Sequence, residues 1–158
     1  MRVALVCVLV GCGYQPGSFA HASHDFVGQR VTVGCLDIAV ERRADHAIGP
    51  VLGYQFANRC DRAAPVDLAA VAVIGRDAQG ADVALRPYDP RGEIHPAALD
   101  GRSAGAEAVV YGVPGRIPGH ATRAAPIREV CADAAALGDA APPHWLCFGA
   151  PRATGGAR

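Results

Sequence analysis

Residues 31–41 read VTVGCLDIAVE and residues 51–60 read VLGYQFANRC. In the first, Leu36, Ile38 and Val40 are separated by Asp37 and Ala39. In the second, Leu52, Tyr54 and Phe56 alternate with Gly53 and Gln55. Successive side chains of a strand point to opposite faces, so a period of two predicts strands with one apolar face each. The stretch between them, 43–50, is turn-rich. If the two apolar faces meet in one sheet, Cys60 falls on the apolar side and Cys35 on the other, so a disulfide between them needs a bulge or an inter-sheet position.

The pattern continues outward. Residues 66–75 form an apolar run whose Val71, Val73 and Ile74 favour strand over helix. Asp77-Ala78-Gln79-Gly80 suits a hairpin turn with glycine in the left-handed position, and 83–88 is the expected return strand. Asp89-Pro90-Arg91-Gly92 is a second turn, 96–99 is expected as one helical turn, and 107–111 as a short strand. Residues 112–122 (GVPGRIPGHAT) read as a loop. Residues 126–137 carry two patterns. Ile127, Val130, Cys131 and Ala134 have helical spacing between Pro126 and Gly138, while 127–131 also reads as strand. Residues 145–148 are the expected last strand. Short strands punctuated by turns predict a mainly β fold, an antiparallel β-sandwich with long loops and one short helix near 127–137 as the helical alternative.

At the N-terminus, Arg2 precedes an unbroken apolar run over 3–10, followed by Gly11 and Cys12. Eight apolar residues are too few for a spanning helix, which needs about 20; read alone, 3–6 is also β-prone. The order Leu9-Val10-Gly11-Cys12 resembles the lipobox of bacterial lipoprotein precursors. That resemblance covers residues 1–12 only. It implies removal of 1–11 as a signal peptide, acylation of Cys12 and a membrane-anchored protein of the cell envelope. Two or more acyl chains anchor stably. Gly13, where many inner-membrane lipoproteins carry Asp, points to the outer membrane, facing the periplasm or the cell surface. Residues 12–28 then form a Gly/Pro/Ser-bearing tether. Residues 29–149 form a single β-sandwich domain and 150–158 a disordered tail.

The chain has 158 residues and no net formal charge, and all 15 basic residues are Arg. No basic excess points to nucleic acid. Of six Cys, Cys7 leaves with the signal and Cys12 takes the lipid. An exported chain with Cys35, Cys60, Cys131 and Cys147 is expected to carry two disulfides, and three pairings exist. Hairpin-like spacing favours Cys35–Cys60 and Cys131–Cys147. CxxC pairs are missing, which argues against zinc, thioredoxin-like and haem sites. Inter-sheet disulfides and Trp145 near Cys147 resemble immunoglobulin-like domains in architecture, although the order of Cys and Trp differs from antibody domains.

No catalytic constellation emerges. His21 and His24 fall in the tether, where no geometry is preorganised for metal. His46, His95, His120 and His144 fall in loops or strand edges. Asp77, Asp82, Asp89 and Glu93 cluster around two turns, where Asp is favoured because it bonds its own backbone. Ser18 and Ser23 lie in the tether, and Ser103 is outside any GxSxG elbow. The initiator is the only Met, and no His or Met follows Cys147, which excludes a blue-copper loop. Arg59 and Asp61 beside Cys60 are expected to pair across a strand end. The sequence thus predicts a non-enzymatic lipoprotein without cofactor or metal. Its expected partners are the membrane, through the lipid on Cys12, and another envelope protein. A small-ligand or metal-binding module, or a hydrolase assembled only in three dimensions, are the rival readings.

Overall fold

A computed structural model of the chain describes residues 28–117, 120–138 and 142–151. The expected signal peptide, Cys12, the expected tether with His21 and His24, and most of the expected tail lie outside the described residues. Eleven strands are formed among the described residues: β1 (Gln29–Val33), β2 (Leu36–Arg43), β3 (Val51–Asn58), β4 (Ala64–Val66), β5 (Val73–Asp77), β6 (Asp82–Pro87), β7 (Ala97–Leu99), β8 (Ala104–Pro114), β9 (Ala121–Thr122), β10 (Ile127–Asp133) and β11 (Trp145–Gly149). All pairings are antiparallel. The main path runs β1-β2-β3-β8-β6-β5-β10-β11, with β9 on β8 and a separate pair β4-β7. The fold is mainly β, as expected: a two-layer antiparallel arrangement that β8 draws towards a barrel.

β8 makes that link. Its first part pairs with β3 through Ala104–Val110, and then Tyr111 and Gly112 pair with Pro87 and Arg86 of β6. At the other end of the path there is no ladder between β1 and β11, and side chains of β1 and β2 reach across to β10 and β11. Gln29 Nε2 donates to Cys147 O at 2.6 Å. Arg42, its side chain only 2% exposed, pairs with Asp45. It also donates to Ile127 O at 2.8 Å, Arg128 O at 3.2 Å and Phe148 O at 3.4 Å.

The alternating segments behave as read. Ile38 lies opposite Phe56 and Val40 opposite Tyr54. These residues, with Leu36, Leu52, Val109, Tyr111, Val130, Leu146 and Phe148, are buried in one core. Tyr54 and Tyr111 share a hydrogen bond between hydroxyls at 2.7 Å inside it. Desolvation raises both phenols above their ordinary range, and Tyr111 adds to the effect on Tyr54.

Both hairpin-spaced disulfides form, Cys35–Cys60 and Cys131–Cys147. The facing problem of the first is resolved without a bulge. Cys35 is not in a strand but in the two-residue turn Gly34-Cys35 between β1 and β2, with Gly34 at φ +56°. A positive φ at the first turn residue costs glycine nothing. Arg59 N donates to Cys35 O at 2.8 Å, which brings Cys60, beyond the end of β3, to the turn. The second bridge joins directly paired residues of β10 and β11.

Four local expectations are corrected. Residues 127–137 are not a helix. Ile127–Asp133 is β10, held between β5 and β11, and only Ala134–Leu137 winds into a 3-10 turn. The run 66–75 is not one strand, because Asp67 Oδ1 accepts from Ala69 N and Ala70 N and turns the chain between β4 and β5. Residues 97–99 are strand, not helix, because they pair with β4. The strand expected over 107–111 extends from Ala104 to Pro114, and β9 takes the end of the loop at 112–122. The turn at Asp77–Gly80 is as read: Gly80 has φ +84°, and Asp77 Oδ1 accepts from Gln79 N and Ala81 N.

Candidate functional site

The site follows from the hydrogen-bond phase of β8. Asn58 N donates to Ser103 O and Tyr111 N donates to Pro50 O, both at 2.9 Å. In an antiparallel ladder, alternate residues bond to the same neighbour. The odd-numbered residues of β8 therefore turn their backbone groups to β3, and the even-numbered ones turn away. Two of those outward positions are used. Gly112 pairs with Arg86, and Val110 O accepts from Tyr88 N at 2.7 Å. After Tyr88 the chain leaves at Asp89-Pro90. Among the described residues no strand then lies beside Ala104, Ala106 and Ala108 on that side. Ala108 N donates to Glu107 Oε1 at 3.1 Å.

This open edge lies along a groove of about 610 Å³. Ligand clefts commonly span roughly 300–1,000 Å³. Buried Phe56, Val66, Leu68 and Val109 make its floor, with half-buried Ile94 and Leu99. Tyr88, Arg91, Glu93, His95 and Glu107 supply its polar rim. Two devices hold the walls. On one side the Asp89 carboxylate accepts from Glu93 N and Ile94 N, each at 2.8 Å. Those N–H groups, Ile94 first, hold the Asp89 carboxyl below its usual range. On the other side Asn58, fully buried, donates to Arg62 O, Leu99 O and Asp100 O and accepts from Cys60 N. That side chain locks the end of β3 to the end of β7.

The residues singled out in the sequence are not gathered in one place. His95 and Glu93 line the groove, whereas Asp77 and Asp89 are spent on turn backbone. Asp82 pairs with Arg76, which also pairs with Glu129. His46 Nδ1 accepts from Ile48 N, and His144 N donates to Asp133 Oδ1. His120 closes a loop through its backbone, donating to Ile117 O and accepting from Gly115 N. Ser103 Oγ donates to Asp100 O. Arg59 pairs with Asp37, and Asp61 with Arg102, whose guanidinium holds the Asp61 carboxyl below its usual range. Among the described residues, no group of three or more His, Cys, Asp or Glu is placed to hold a metal ion.

Sequence reasoning missed the groove, Asn58 and Arg42. For the groove, the available signal was the run Ala104-Gly105-Ala106-Glu107: small side chains and one charge where a paired central strand would carry bulk.

No family model matches the chain, and no curated protein matches it. Among solved structures, the crystal structure of the yjhA protein from Bacillus subtilis is similar to it. The two share 10% identity at a TM-score of 0.43, over 75% of this chain and 94% of that one. A likeness that loose carries no functional argument.

Proposed function

We propose that the protein is a non-catalytic binding domain held at the cell envelope by lipid on Cys12, presenting the groove beside β8 to another envelope protein. The observation that carries the binding role is the groove itself: an apolar floor, a polar rim and an unpaired strand edge, in walls fixed by Asp89 and Asn58. Two disulfides support an oxidising compartment, where such bridges persist. The lipobox-like Leu9-Val10-Gly11-Cys12 supports the anchor.

Mass spectrometry of the membrane fraction tests the address. The expected species begins at an acylated Cys12; a soluble chain retaining Met1 refutes it. Photo-crosslinking in intact cells tests the role. A crosslinker at Glu93, on the groove rim, should yield a discrete protein adduct that the same crosslinker at exposed Arg116 does not. Equal labelling from both positions refutes a groove-specific partner.

A further inference from the structure

We propose that the open edge of β8 takes up an extended segment of a partner protein as an added antiparallel strand, with a basic residue facing Glu107 and a large apolar residue two places after it. This rests on the binding reading above and deepens it by naming the chemistry of the occupant.

The backbone groups of Ala104, Ala106 and Ala108 point away from β3, on the side where β6 has already departed. A row of unpaired N–H and C=O groups is a template for another strand. Every pairing in the fold is antiparallel, and an added strand would continue β6 along β8 in that sense. The five residues Ala104–Ala108 offer roughly 17 Å of edge at about 3.4 Å per residue.

The same phase sets the side chains. Odd residues of β8 form non-hydrogen-bonded pairs with the newcomer, where opposing Cα atoms approach to about 4.5 Å and side chains are closest. Gly105 and Glu107 line the groove beside buried Val109. Partner residues opposite Gly105 and Glu107 therefore point into it, while the place opposite Val109 falls to Asp89 in the register of β6 on β8. Opposite Gly105 there is no side chain on β8, and Phe56 and Leu99 stand beside the gap, which suits a large apolar residue. Opposite Glu107 a carboxylate waits, exposed and bonded only to its neighbour's N–H. Entry of a strand takes over the Ala108 N–H and frees that carboxylate for a cation. In chain order the partner motif is basic, any, large apolar. The edge is recessed between the loop after β6 and the β4-β7 pair, which line the groove with it, and a recessed edge suits a single extended segment better than the edge of a second sheet.

The test uses the full chain in detergent with disulfides intact, and the probe peptide acetyl-Thr-Arg-Thr-Phe-Thr-amide. Amide exchange and chemical shifts are read by NMR. The peptide should protect the amides of Ala104, Ala106 and Ala108 and shift Glu107. Replacing its Arg with Glu should weaken binding about five- to tenfold, and Glu107→Arg should reverse that preference, as expected for an opposed cross-strand charge pair. Ala106→Pro removes one outward N–H, a change an edge strand tolerates. It should abolish peptide protection while leaving the core amide shifts in place. Peptide-induced shifts confined to other surfaces overturn strand addition but leave the broader binding role standing. Three results overturn the proposal itself: no shift at millimolar peptide, unaltered binding to Ala106→Pro, or edge protection that rises with protein concentration alone, the signature of a second copy.

Discussion

Removing one hydroxyl of the Tyr54–Tyr111 pair should cost more than removing both. Each phenol is fully buried, and the two meet at 2.7 Å in the core. Tyr54→Phe or Tyr111→Phe deletes the bond and leaves the remaining hydroxyl in apolar surroundings without a partner. An unpaired buried polar group costs about 1–3 kcal/mol, whereas replacing both partners by apolar groups of the same shape is nearly neutral. Each single variant should therefore lose about 1–3 kcal/mol, and the double variant less than either. The ring stacking of Tyr54 on Phe56 survives all three changes, because only oxygen atoms leave. The assay is equilibrium unfolding in guanidinium chloride without reductant, with the three variants and the parent closing a double-mutant cycle. Additive losses, or neutral single variants, refute the reasoning: they would mean that the two hydroxyls are not each other's only partner.

Because burial raises both phenols above the ordinary value of about 10, folding disfavours the phenolate. The stability contributed is fully present below pH 10 and lost as pH rises above it, by up to about 1.4 kcal/mol per pH unit for each tyrosine. Alkaline titration of unfolding should show this slope, and it should vanish in the Tyr54→Phe/Tyr111→Phe double variant. Arg42→Lys should cost about 2–4 kcal/mol in chemical unfolding despite keeping the charge, because one ammonium cannot serve Asp45 and three carbonyls of β10 and β11 in the guanidinium's forked geometry; a loss under about 0.5 kcal/mol would show that the guanidinium does not hold the two layers together. Replacing Cys35 and Cys60 by Ser should cost about 3.5 kcal/mol and replacing Cys131 and Cys147 about 3.1 kcal/mol, from chain-entropy loss over separations of 25 and 16 residues. Thermal unfolding of each pair variant checks this, and a loss in only one of them would show that the other bridge is absent or idle.

Strands β2 and β3 and the Asp77–Gly80 turn were legible because their signals are local. Alternation at Leu36, Ile38 and Val40 needs only the pleat, and Asp77 with Gly80 builds its turn from its own backbone. The break at Asp67 was equally local, an aspartate bonding the two amides that follow, and was overlooked within an apolar run. Residues 127–133 were not decidable in this way. Their spacing fits a helix, yet β5 and β11 stand on both sides and satisfy the backbone as sheet. Residues 97–99 are strand for the same reason, through β4.

The sequence by itself thus determined the class of fold, the hairpin-spaced disulfides and the turns, since alternation, cysteine spacing and Asx chemistry act over a few residues. Only the tertiary structure decided where β8 exchanges β3 for β6. Among the described residues, that exchange leaves Ala104, Ala106 and Ala108 without a strand on the side away from β3, sets Glu107 beside them and opens the groove. The small side chains and single charge of residues 104–108 permit an unpaired edge but do not fix one. It exists because β6, distant in sequence, turns away at Asp89, and hydrogen-bond partners across such distances are set by the assembled sheet.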